Sequence, residues 1–168
     1  MQPTAPLARE YALYAAGYSA IGILGLVLDL IRRDHATRSL GPFLVMTVVM
    51  LLVLGATNLR WLTTSARQAG APSPETPIEP MAGTLRRLSL ELSLVGLLVL
   101  ASLAGRVGIS ALISGIAFGA GGVNLAGRLL VAQLERQRGV VYHRETPRGL
   151  VGSGRRPITA HGAEVAED

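Results

Sequence analysis

Four apolar stretches, each flanked by arginine, run through this 168-residue chain and leave it few ways to fold. A helix needs about 20 residues to cross roughly 30 Å of hydrocarbon. Residues 11–31, 40–58, 88–104 and 107–127 meet or approach that length. The fold class expected is therefore an all-α integral membrane protein, a four-transmembrane-helix bundle with antiparallel neighbours and a disordered C-terminal tail. A mean hydropathy of +0.41 with 16% charged residues is too apolar for an ordinary soluble domain of this size. The first stretch is too long for a signal-peptide core and lacks a small-residue cleavage site before Arg32, so it is kept as a span.

Division of the chain follows from these spans. Residues 1–10 form an N-terminal tail, 11–138 the membrane domain and 139–168 a basic tail. Only Gly105, Arg106 and their neighbours separate the last two spans, which predicts a tight hairpin of adjacent helices. Pro42 falls in the first turn of the second span, where its missing amide would be unpaired anyway. Past residue 127 the fourth helix is expected to continue to Arg138, because Leu130, Leu134 and their neighbours keep one apolar face until Gly139 stops it.

Arginine supplies all 16 basic residues, and its distribution orients the bundle. Arg9, Arg60, Arg67, Arg86, Arg87, Arg128, Arg136 and Arg138 lie at one set of span ends, against Arg32, Arg33, Arg38 and Arg106 at the other. Positive residues are retained on the cytoplasmic side. Both termini are thus expected there, in a plasma membrane, although three arginines crowd the short first loop. Anionic lipids should attract the basic tail. Nucleic acid is not an expected partner, since no aromatic platform or folded reader accompanies the arginines.

Between the second and third spans, residues 63–84 carry Pro72, Pro74, Pro77 and Pro80, a run expected to be extended and solvated. Its PxxP pattern at Pro74 and Pro77 suits a proline-binding module or, more simply, a spacer. The tail from Tyr142 onward shows scattered Gly, Pro and Arg and reads as disordered.

Ionisable groups at membrane depth are expensive, which directs attention to Asp29 and Glu91. Asp29 precedes Arg32 and Arg33 by three and four residues, and Glu91 follows Arg87 by four, so a helix-surface ion pair accounts for each. With cytoplasmic termini the two carboxylates fall in opposite leaflets. At the depth of Glu91 the other helices bring Thr57, Asn58, Asn124 and Arg128, and the candidate polar cluster is Glu91, Asn58, Asn124 and Arg128. It could take a lipid headgroup, an ion or a polar partner, or serve only as interhelical hydrogen bonding.

Small residues form the second pattern. Gly22 and Gly25 lie on one face of the first span, and Ala111, Gly115, Gly119 and Gly127 recur at multiples of four in the fourth. Such stripes let backbones approach closely, and their number suggests a homo-oligomer or a membrane-protein partner.

Cysteine is absent, which removes thiolate metal sites and thiol redox chemistry. The three histidines, His35, His143 and His161, lie outside the apolar runs, so no metal site, haem or other cofactor is expected. No grouping of nucleophile and base stands out. The expected function is accordingly a non-enzymatic multi-pass membrane protein, a subunit or scaffold, with a small oligomeric transporter or channel as the alternative.

Overall fold

The computed structural model describes residues 4–32, 36–70, 77–105, 108–145 and 158–162. Four helices are present among them: α1 (Leu7–Arg32), α2 (Ala36–Gln68), α3 (Met81–Leu103) and α4 (Ile109–Arg138). Three strands accompany them: β1 (Thr4–Pro6), β2 (Val140–Glu145) and β3 (Ile158–Gly162). By length and composition α1, α2 and α4 are apolar enough to cross a membrane. α3 differs because Arg86, Arg87 and Glu91 occupy its first half.

Helix bounds depart from expectation where the flanking sequence is polar. α2 begins at Ala36 and runs to Gln68, so Pro42 lies in its second turn and the loop expected from residue 63 starts later. Its 33 residues extend about 50 Å, well beyond a hydrocarbon core. α3 begins at Met81, directly after Pro80, whose backbone is extended (φ −65°, ψ 154°). Gly108, at φ 92°, opens α4, and Gly139, at φ 61°, closes it, with the Gly139 amide bonded to the Glu135 carbonyl at 2.9 Å. Both glycines occupy left-handed backbone that other residues seldom adopt.

α4 is the central helix. It packs most broadly on α1 and α2, while α3 lies chiefly against α1 and only secondarily on α4. The hairpin of the last two helices exists, but it is not the principal interface. Close approach by α4 follows from its small residues. A methyl group added at Gly119 would lie 2.9 Å from the Thr47 carbonyl of α2, and one at Gly115 would strike the Phe43 backbone. On the α1 side, a methyl group at Gly22 would meet the Phe118 amide nitrogen at 2.6 Å, while Gly25 faces Ser114 and Val99. Ala111 is fully buried. These small residues therefore serve packing within the chain, which removes the argument from their number to self-association.

A small sheet closes one end of the bundle. β1, β2 and β3 are antiparallel in that order, with Ala5 opposite Arg144 and Tyr142 opposite Ala160. The expectation of a patternless tail is thus corrected over Val140–Glu145 and Ile158–Gly162, while 146–157 and 163–168 lie outside the described residues. The β-branched and aromatic side chains of VVY and IT suit strands, and they become ordered through partners far away in sequence. Tyr142 and Ile158 join Leu7, Tyr11, Leu62, Ala66 and Val131 in the main apolar core, at the junction of sheet and bundle. In the proline-rich segment, the Thr4 amide bonds to the Pro77 carbonyl and the Glu79 amide to the Thr4 carbonyl. Pro77–Pro80 is therefore extended, as expected, but docked onto β1. Pro74 of the PxxP pattern lies outside the described residues.

Replacing Gly119 with Ile is expected to lower stability by at least about 1–3 kcal/mol, because the side chain enters backbone rather than flexible neighbours. Gly96→Ile, on α3 where an added methyl group meets nothing within 4 Å, should stay within about 0.5 kcal/mol of wild type. Unfolding of helical circular dichroism by titrated dodecyl sulfate in mild-detergent micelles compares the two.

Candidate functional site

Buried charged side chains within the bundle gather at its two ends. At the end away from the sheet, Asp29 in the last turn of α1 is fully buried. It accepts hydrogen bonds from Ser39 Oγ of α2, at 2.5 Å, and from Ser110 Oγ of α4. One carboxylate thus ties three helices together, close to the N-terminal ends of α2 and α4 where partial positive charge favours an anion. Of the surface partners expected for Asp29, Arg33 lies outside the described residues, and Arg32 donates to the Leu103 carbonyl of α3 at 2.6 Å.

At the sheet end the organising acid is Glu10, on the first turns of α1 and only 2% exposed. Arg87 of α3 donates to its Oε1, and Arg144 of β2 stands 3.7 Å from its Oε2. Arg87 also reaches Glu79 at 3.3 Å, and Glu79 accepts from Thr84 Oγ at 3.0 Å. Arg9 completes the group by donating to Thr84 and to the Glu79 carbonyl. Glu10 stands just before the first apolar run, where hydropathy alone does not single it out. Its signal was the series Glu10, Tyr11, Tyr14, Tyr18, which shares one helical face.

Glu91 lies one turn deeper, and its partner is not Arg87 but Tyr14, whose hydroxyl donates to Oε2 at 2.7 Å. Its other oxygen is buried without a hydrogen-bond partner among the described residues. Nearby, outside the expected spans, burial raises the pKa of Glu135, and the hydrogen bond from the Tyr142 amide partly offsets that shift.

Between these groups and the bundle's middle lies a cavity of about 440 Å³. Its polar wall includes Glu10, Arg144, Asn58, Asn124 and the tyrosines of α1; its apolar wall includes Leu54, Val95, Leu98, Ile113 and Ile116. Of the expected cluster, Asn58 and Asn124 line this space. Glu91 stands behind Tyr14, and Arg128 is exposed on the outside of α4, away from the others. Trp61 and Arg144 were not expected at the site, and they belong together: the guanidinium carbon lies 5.7 Å from the Trp61 ring centroid. Tyr14 and Tyr18 stack at 5.8 Å with 16° between their planes.

Asp29→Ala is expected to cost about 1–3 kcal/mol, since two buried hydroxyls lose their acceptor, with Asp29→Asn intermediate. Glu10→Ala should cost about 3 kcal/mol, at the lower end of what removing one partner of a buried pair costs, because Glu79 still holds Arg87. Dodecyl sulfate unfolding midpoints measure both, and additive losses in the double variant would show that the two ends act independently. No family model matches this chain, and neither the curated proteins nor the solved structures include a similar one.

Proposed function

We propose that the chain is a non-enzymatic subunit of the plasma membrane, crossing it four times with both termini in the cytoplasm. The pairing of β1 with β2 supports the even number of crossings in this reading. β1 leads directly into α1 and β2 leaves α4, so the first helix starts and the last one ends on the same side. The Thr4–Ile78 bridge brings the connection from α2 to α3 to that side as well. If α1, α2 and α4 cross a membrane, this arrangement supports a crossing by α3 as well. The charges of α3 are compatible with a span, because Arg87 is paired with Glu10 and Glu79, and Glu91 with Tyr14.

Lateral surface supports the same reading. The most apolar stretch of α2 is only 17% buried, and Leu44, Val45, Val48, Leu52 and Val53 are exposed. In water this surface would be costly; against lipid or another membrane helix it is at home. The bundle's carboxylates Asp29, Glu10 and Glu91 are each committed to a structural partner, which favours a subunit over a catalyst. The open face of α2, not the glycine rows, is the surface offered to a partner.

Absence of cysteine allows the topology to be read with single introduced thiols. Thr64→Cys and Arg136→Cys are expected to resist an impermeant maleimide until cells are permeabilised, and Ala104→Cys to be labelled in intact cells. The reverse pattern inverts the orientation, and equal labelling of all three in a soluble fraction removes the membrane reading.

A further inference from the structure

We infer that the groove between α2 and α3 binds a single-chain, uncharged amphiphile with a hydroxyl head group, drawn sideways from the bilayer. The inference rests on the membrane reading above but not on the subunit role.

The groove exists because α2 and α3 flank α1 and α4 without forming a substantial interface with each other. Leu54 of α2 and Leu98 of α3 line it and are also 38% and 56% exposed, so its apolar part opens sideways between those helices. From Asn124 to Ile113 the α4 wall runs about 16 Å along the helix axis. The polar residues stand at the sheet end of this wall and the aliphatic ones toward the middle of the bundle. That gradient matches a molecule with one polar end. At about 440 Å³ the space lies low in the range of small-ligand cavities, about 300–1,000 Å³, which suits one hydrocarbon chain and not a phospholipid's two.

Head-group chemistry follows from the rim. Glu10 and Arg144, the charged residues of the lining, are paired with each other, so the wall carries no net charge to attract an ionic head. Two amides face the space from different helices. Asn58 uses its Oδ1 to accept from Tyr11 at 3.5 Å and leaves Nδ2 without a described acceptor. Asn124 uses its Nδ2 to donate to the Ala120 carbonyl at 2.8 Å and leaves Oδ1 without a described donor. One donor and one acceptor are thus available, the pair that a hydroxyl group satisfies by itself. Tyr14, held as a donor by Glu91, presents its oxygen as a further acceptor. Monoacylglycerols and long isoprenoid alcohols share this chemistry.

Trp61, the chain's one tryptophan, lines the groove and reports its occupancy. The full chain is reconstituted in phosphatidylcholine vesicles, washed with alkaline carbonate, and titrated with a monoacylglycerol brominated on its chain. Saturable quenching of Trp61, reversed by unlabelled monoacylglycerol or geranylgeraniol, is expected; which of the two reverses it identifies the source. Brominated phosphatidylcholine and the brominated fatty-acid anion should quench only in proportion to their membrane content. Ala120→Leu, which fills the groove, and Asn58→Leu, which removes the free donor, should each raise half-saturation about tenfold or more. Quenching that never saturates, that no competitor reverses, or that both variants leave unchanged would overturn the inference, as would tighter binding of the fatty-acid anion. A chain released by the carbonate wash removes the membrane premise itself; a resistant chain with linear quenching removes only the binding site.

Discussion

Backbone contact along α4 is the constraint on which the rest of this structure depends. Small residues let helix backbones approach closely enough for dispersion and short-range hydrogen bonds to hold them together. Gly115 and Gly119 bring α2 to within atomic contact of α4, and Gly121, opposite Ala15 and Ser19, does the same for α1. The Thr47 hydroxyl shows how near these backbones lie: it bonds to its own helix at Phe43 and, at 3.3 Å, to the Gly115 carbonyl of α4. A larger residue in either row would separate the helices and weaken every contact around it.

Closely packed helices need their register fixed, and the buried charges are placed where they can do this. Asp29 receives hydroxyls from α2 and α4 at one end, and Glu10 receives guanidinium groups from α3 and β2 at the other. Each acid sits near a helix terminus, Glu10 in the first turn of α1 and Asp29 in its last. Between them the interior is apolar apart from Glu91, Asn58 and Asn124 toward the sheet end and the hydroxyls of serine, threonine and tyrosine. The two ends pin the helices, and the small residues decide how near they come.

Much of this was legible in the sequence, and the departures share one cause. Hydrophobic runs placed four helices, and Gly139 placed the end of α4, because span length and left-handed caps are local properties. Asn58 and Asn124 could be set at one depth by counting residues from the span ends. Arg128 has that depth too, yet it faces outward, since depth says nothing of direction around a helix. Pairings were harder. Arg87 and Glu91 have helix-pair spacing, but partners on another helix displaced that local pair: Arg87 turns to Glu10 and Glu91 to Tyr14. The strands of the tail depend on partners in β1 and at Gly70, so no local pattern announced them.

The cavity and the tight packing have a common origin in α4. Its small residues are not confined to the faces that touch α1 and α2: Ala117 and Ala120 continue on the face turned toward the gap between α2 and α3. On the crowded faces small side chains admit a neighbouring backbone. On this face no helix advances, because α3 is held to α1 by Arg87–Glu10 and Tyr14–Glu91, while α2 is held to α4 by Gly115 and Gly119. The space that a large residue would fill stays open. Leu or Phe at Ala117 or Ala120 would close it without disturbing either glycine row, so the groove is a consequence of residue choice and not of the helix count.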